Sequence, residues 1–247
     1  MATLTGRHQR KQEGNKLNVT TDSHQKDLLQ LSSTLSKMLK RTFGKGPEAC
    51  FVTNQSSRLT VYIKNFTTPS EVVMIESNQV SLAYSFRNAV VAKVINDFRL
   101  EAEDVLGVSF TLNHSDWDYG NNTGLIIFEN SDNELGKMMR NETLRTKLSD
   151  AINYVGSNVN KAPDHLEVTR LNQNIYAVDC EGMMLQIEKV LYEKEYYDLL
   201  HEHSRGIKES FIKRKSVFEE VFDREVLGLF MTWDYKYDRN SIYFYLQ

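Results

Sequence analysis

The feature that most constrains this chain is that its strand signals occur twice. Gly46-Pro47-Glu48 precedes Phe51-Val52-Thr53 and Leu59-Thr60-Val61-Tyr62, and Ala162-Pro163-Asp164 precedes Glu167-Val168-Thr169 and Ile175-Tyr176-Ala177-Val178, 116 positions later. Val105-Leu106-Gly107-Val108 is echoed by Val226-Leu227-Gly228-Leu229 at an offset of 121. Matched signals in one order read as a duplicated unit with a short insertion, and a duplicated unit can act as a dimer fused into one chain. The expected organisation is a flexible N-terminal tail over 1–24, a first unit over 25–130 and a divergent second unit over 131–247.

A chain of 247 residues with 40% hydrophobic content can bury two ordinary cores. Its net charge of −3 carries no long block of either sign, which argues against a protein whose main work is gripping phosphates. The two cysteines, Cys50 and Cys180, fall at non-equivalent positions and suggest a reduced compartment without a disulfide framework. No apolar run reaches the length of a membrane span, and the polar start lacks the apolar core of a secretory signal. The expected address is the cytoplasm.

Leu28, Leu31, Leu35 and Met38-Leu39 lay one stripe along a helix from Lys26 to Phe43, capped near Asp22 or Ser23 and stopped by Gly44-Lys45-Gly46-Pro47. Those glycines suit the left-handed backbone of a helix end rather than a phosphate loop. Strands are expected over Ala49–Asn54 and Arg58–Phe66, with Leu59, Val61 and Ile63 buried and Thr60, Tyr62 and Lys64 facing water. Thr68-Pro69-Ser70-Glu71 combines an N-cap, a first-turn proline and a capping-box glutamate. The helical pattern beyond it reaches Leu106-Gly107, long enough to need a break near Glu76–Gln79. Strands over Val108–Asn113 and Gly124–Phe128 close the unit.

The second unit offers a helix over Asn133–Val155, strands over His165–Arg170 and Asn174–Asp179, and a charged helical stretch from Leu185 to Phe222. Strands over Leu229–Trp233 and Ser241–Leu246 close it. Gly182-Met183-Met184-Leu185 stands where the capping box would be, so the cap reads as lost. The fold class is α+β: two tandem α-β-β-α-β-β units, long helices on antiparallel sheets, related by a pseudo-two-fold axis.

The order of signals in the first unit resembles the MpsC-like family, small bacterial domains named after a component of a sodium-dependent membrane-potential-generating system. Gly44-Lys45-Gly46-Pro47-Glu48, Thr68-Pro69-Ser70-Glu71, Arg87, the Glu-rich approach from Glu101 to Gly107, Ser115-Asp116, Gly124 and Phe128 carry the resemblance. It implies a non-enzymatic accessory protein, a partner of a membrane cation-translocating or inorganic-carbon uptake system, with membrane spans held by other subunits. It supplies no catalytic residue and no cofactor. Arg87, Glu103, Asp104 and Asp116 are the interface candidates, each equally readable as a structural ion pair or cap.

His114, Asp116 and Asp118 alternate at a strand end and could share one face as a divalent-metal site, or form an ordinary solvated turn. His201-Glu202-His203 lacks the spacing of a helical metal motif and reads as surface. Trp233, Tyr235, Tyr237, Tyr243, Phe244 and Tyr245 could stack bases, though cross-strand packing is the plainer reading. Lys208, Lys213, Arg214 and Lys215 alternate with acids as a solvated helix face. The alternatives to the accessory role are a nucleic-acid-binding regulator and a small-ligand sensor with a pocket between the repeats. The chain is expected as a pseudo-dimeric monomer or a homodimer.

Overall fold

The computed structural model describes residues 6–55, 58–130 and 141–247. The first unit runs α1 (Gly6–Phe43), β1 (Ala49–Gln55), β2 (Arg58–Lys64), α2 (Pro69–Glu76), α3 (Val80–Leu106), β3 (Leu112–Asp118) and β4 (Thr123–Glu129). The second runs α4 (Glu142–Gly156), β5 (His165–Arg170), β6 (Ile175–Glu181), α5 (Gln186–Glu193), α6 (Tyr197–Lys213), α7 (Lys215–Phe222), β7 (Val226–Asp234) and β8 (Arg239–Leu246). Each unit folds one antiparallel four-stranded sheet, ordered β1-β2-β4-β3 and β5-β6-β8-β7. The expected α+β class and repeated element order are therefore what the chain adopts.

Equivalent backbone positions follow a near-constant offset. Asn65 and Gly182, Asn78 and Glu195, Asn122 and Asp238, and Gly107 and Asp223 all take positive φ, 116 or 117 residues apart. Gly107 and Asp223 each end a long helical stretch in the left-handed conformation, their N–H groups donating to Glu103 and Glu219. The echo at offset 121 is therefore corrected: Leu227-Gly228 lies in β7 beside a bulge, not at a helix end, and no five-residue insertion exists. The offset instead falls by one between α3 and its counterpart, which is broken at Arg214 into α6 and α7.

Several boundaries differ from the sequence pattern. The stripe on α1 packs as expected, but the helix runs on from Gly6 without ending at Asp22 or Ser23. The break after Glu76 is present, with Gln79 at the N-cap position of α3. β3 runs from Leu112 to Asp118 rather than from Val108 to Asn113, so His114 and Asp116 lie within the strand and Asp118 ends it. α4 starts at Glu142, where Asn141 caps the N–H of Leu144; Leu135, Met138 and Met139 of the expected helix lie outside the described residues. The capping box at Thr68 is complete. Its counterpart is half retained: Leu185 offers no acceptor, but the Glu188 carboxylate still accepts the Leu185 N–H at 2.7 Å. Gly44 takes φ 74° at the end of α1, the left-handed turn its position required.

Helices cover the outer face of each sheet. Leu31, Leu35 and Leu39 of α1 and Val91, Val94, Phe98 and Ala102 of α3 pack on Leu59, Val61 and Ile63. Leu148 and Ile152 of α4, Ile207 and Phe211 of α6 and Phe218 of α7 do the same in the second unit. The inner faces meet each other, which corrects the expectation that Thr60 and Tyr62 face water: they are 1% and 2% exposed. Tyr62, Leu125, Ile127, Ile175, Ala177, Phe230 and Tyr243 form this third core. The architecture is helix, sheet, sheet, helix. A period-two pattern distinguishes the two faces of a strand but not water from a second sheet, and Tyr62 suits either.

The inner seam is also charged. Arg58 Nη2 donates to both carboxylate oxygens of Asp179 at 2.8 Å, and Arg58 Nε lies 3.1 Å from Glu129. Arg239 of β8 reaches Glu129 at 2.8 Å, and Ser241 donates to Asp179. The two cysteines are free; burial pushes the Cys50 thiol up to about 12 and raises that of Cys180, leaving both inert near neutrality.

Gly124 is required for a packing reason. It pairs with Trp117 across β3 and β4, and a Cβ built there would lie 2.1 Å from the indole Cε3. Gly124→Ala is expected to destabilise the fold by about 1–3 kcal/mol in urea unfolding, despite the better strand propensity of alanine.

Candidate functional site

A concavity of about 560 Å³ lies where the two units meet. Its floor is built from β3 and β7, the edge strands of the two sheets, and its walls from α3 and α6. The walls correspond position for position at an offset of 117: Ser81, Tyr84, Ser85 and Asn88 face Asp198, His201, Glu202 and Arg205. In the floor, Trp117 matches Trp233 at an offset of 116. The cleft thus straddles the relation between the repeats, with one uncharged polar wall and one charged wall.

Side chains lock the floor across the boundary. Lys208 Nζ on α6 reaches Asp116 on β3 at 2.7 Å and donates to the Trp117 carbonyl, also at 2.7 Å. Asp116 Oδ2 also accepts the Met231 N–H of β7 at 2.8 Å, so this carboxylate satisfies a donor that an edge strand leaves free. Tyr84 donates to the same Trp117 carbonyl at 2.8 Å, and Arg205 crosses to Ser81 at 2.9 Å while lying over the Tyr84 ring. The indole N–H groups of Trp117 and Trp233 are buried and find no acceptor among the described residues. The Cε3–Cζ3 edge of Trp117 sits over Gly124, which puts its N–H on the opposite side, away from β4.

Beside the cleft a buried ion pair holds α2, α3 and the β3–β4 turn together. Glu71 is fully buried and accepts from both Nε and Nη2 of Arg87, from the Thr68 N–H and hydroxyl, and from the Tyr119 hydroxyl. Arg87 also donates to the Phe66 carbonyl at 3.0 Å and stacks 4.4 Å from the Trp117 ring. The second unit keeps Glu188 and Tyr235 but pairs the glutamate with His203, 3.1 Å away. The Tyr119 and Tyr235 hydroxyls lie 3.0 and 3.2 Å from equivalent carbonyls, those of Ala83 and Leu200.

The interface candidates are distributed unevenly. Asp116 lines the cleft. Arg87, 2% exposed, is enclosed by its ion pair and presents no surface of its own. Glu103 caps its own helix end, pairing with Arg99 and accepting the Phe110 N–H at 2.7 Å. Asp104 is exposed on α3. Of the metal candidates, Asp116 is committed to Lys208, and Asp118 accepts the N–H and side-chain amide of Asn121 in the turn. Burial lowers the His114 pKa although Glu129 pulls it upward. Among the described residues no group of three or more His, Cys, Asp or Glu is placed to hold a metal.

Two buried glutamates tie stability to pH. Burial would raise the Glu71 and Glu129 pKa values, but the guanidinium of Arg87 and the Thr68 donors outweigh it at Glu71, and Arg58 and Arg239 outweigh it at Glu129. Both carboxyls titrate below the ordinary value of about 4.3, so the folded state binds fewer protons than the unfolded one. Their contribution is present above that value and lost as pH falls through the folded pKa values. Urea midpoints are expected to hold from pH 7 to about 5 and fall steeply below about 4.3. Glu71→Gln should lower the plateau and flatten the acid limb.

Residues 25–131 match the family model described as Na+-translocating membrane potential-generating system (MpsC). The first unit is similar to the MpsC family. The match ends where the first sheet ends, and the second unit shares its element order and sheet order. Comparison with curated proteins and with solved structures found no match. Among the described residues no helix is long and apolar enough to cross a membrane.

Sequence reasoning misses Lys208, Arg205 and Trp233 as cleft residues. Lys208 reads as part of a solvated face, yet it is 5% exposed. Its spacing from Leu200, Ile207 and Phe211 places it on the buried stripe of α6, the one signal that could have found it. His201 fits its surface reading and lines the cleft, whereas His203 turns to Glu188. Among the C-terminal aromatics, Tyr243 and Phe244 are fully buried and Tyr245 stacks on Tyr62, which removes these three from base stacking, whereas Tyr237 is 63% exposed.

Proposed function

We propose that this chain is a non-enzymatic accessory component of a membrane cation-translocating system, held at the cytoplasmic face by a partner that supplies the membrane spans. Inorganic-carbon uptake is a related role for such a system. The observation that carries the reading is the MpsC match over the whole first unit. The cleft between α3 and α6 is the surface offered to the partner, with Asp116 and Lys208 fixing its floor and Arg87 supporting it from behind. Asp104 and Glu103, at the far end of α3, would extend the contact.

The test is a mild-detergent pull-down of the tagged chain from its native cells, with partners identified by mass spectrometry. A polytopic cation-transporter-like subunit should be enriched over a control bait. Ser85→Arg, which fills the cleft from an exposed wall position, should abolish that enrichment without unfolding the chain. Recovery of the chain alone, or with only water-soluble proteins, would overturn the reading.

A second reading, a small-ligand sensor, draws on the unpartnered indole donors of Trp117 and Trp233 in a cleft of ligand size. Metabolite-dependent thermal stabilisation lost in Ser85→Arg would favour it; stabilisation unaffected by that change would remove the cleft as its site.

A further inference from the structure

The inner faces of the two sheets meet in a way that is symmetric in position and asymmetric in chemistry. The strand registers carry Arg58 and Glu129, paired across β2 and β4, onto Ile175 and Tyr245, paired across β6 and β8. The same registers carry Tyr62 onto Asp179 and Thr123 onto Arg239. Contacts across the seam obey this relation. Arg58 reaches Asp179, and their counterparts Ile175 and Tyr62 share the inter-sheet core. Tyr62 stacks on Tyr245 at 3.9 Å, and their counterparts Asp179 and Glu129 share Arg58. Such reciprocity is what an isologous, two-fold interface produces.

One end of the seam is therefore ionic and the other aromatic. Two copies of the first unit, paired in this geometry, would set Arg58 against Tyr62 and Glu129 against Thr123. Two copies of the second unit would set Asp179 against Ile175 and Arg239 against Tyr245. In the first arrangement Arg58 and Glu129 keep each other but lose Asp179 and Arg239; in the second Asp179 and Arg239 lose Arg58 and Glu129, and a buried charge that loses a partner disfavours a complex. Only the unlike pair matches both ends.

We infer that the β2–β4 face of the first unit is a surface for pairing with a second unit of the same fold, and that the ionic end here restricts the partner to this chain's own second repeat. The partner it fits carries an acid where the first unit has Tyr62 and an arginine where it has Thr123. Free copies of the first unit are refused. The pairing also keeps the two unlike walls of the cleft together.

The test uses full-length chains in which the charge code is split. Arg58→Asp sets two acids against each other within one chain, and Asp179→Arg sets two arginines. Each alone is expected to raise the unfolding equilibrium constant by about tenfold or more. Refolded together with different tags, they should form a one-to-one dimer of twice the 28.6 kDa chain mass. In that dimer the acid introduced at position 58 of one chain meets the arginine introduced at position 179 of the other, and the native Arg58 and Asp179 left on the two chains meet each other. A mixture that associates no more than either variant alone would overturn the inference. If neither variant folds, Arg58→Met and Asp179→Leu replace them singly and together. Recovery of about tenfold in the double variant supports the cross-seam code, and additive losses refute it.

Discussion

Replacing Arg87 with leucine is expected to destabilise the chain by about 3–5 kcal/mol, the largest single-residue effect in the molecule. The reason is Glu71, which has no exposed surface and, among the described residues, relies on the guanidinium as its only charged partner. Without it the carboxylate keeps the Thr68 and Tyr119 donors, which hold it in place but do not neutralise it. Arg87→Lys should recover only part of the loss, because a point charge cannot make the two-pronged contact from Nε and Nη2 or stack on Trp117. Pairing Arg87→Leu with Glu71→Leu should cost less than the sum of the two, since neither then leaves a charge stranded. Urea unfolding of the four variants measures all of this, and equal, additive losses would show that the pair is not coupled.

Asp116→Ala is expected to cost about 3 kcal/mol, and to do so at the boundary between the units. The substitution strands Lys208, whose side chain is 6% exposed, and removes the acceptor of the Met231 N–H. Adding Lys208→Met should return most of the loss but not all, because the unpaired N–H still costs roughly 1 kcal/mol. The readout is convenient. The chain has two tryptophans, Trp117 and Trp233, and both line the cleft. A shift of emission to longer wavelength in Asp116→Ala, reversed in the double variant, would report opening of the floor. Unchanged emission with full stability would mean that Asp116 is not a lock, and would leave its carboxylate available to a partner.

Each unit's local plan is legible in sequence because local rules set it. Thr68-Pro69-Ser70-Glu71 forms the capped helix it spells, since cap, proline and glutamate act within one turn. The stripe of Leu28, Leu35 and Leu39 packs on the sheet, and the repeat is visible at the same offset in strands and turns. The misreadings arise where two environments share one pattern. Leu-Gly ends a helix at Gly107 but occupies a strand bulge at Gly228, and only the backbone distinguishes them. Leu185 hides a half-cap because the surviving member, Glu188, lies three residues away.

The sequence by itself determined the two α-β-β-α-β-β units, their order and the helix boundaries at Gly44, Thr68 and Gly107, all of which depend on residues within a few turns of one another. Tertiary structure alone decided that the inner strand faces meet, that Lys208 crosses to Asp116, and that Arg58 finds Asp179, 121 residues away. Those pairs join elements whose approach depends on the packing of both sheets. A lysine on a helix or an arginine on a strand looks the same in sequence whether water or a buried carboxylate receives it. Desolvation makes the difference, because a buried charge needs its partner and an exposed one does not.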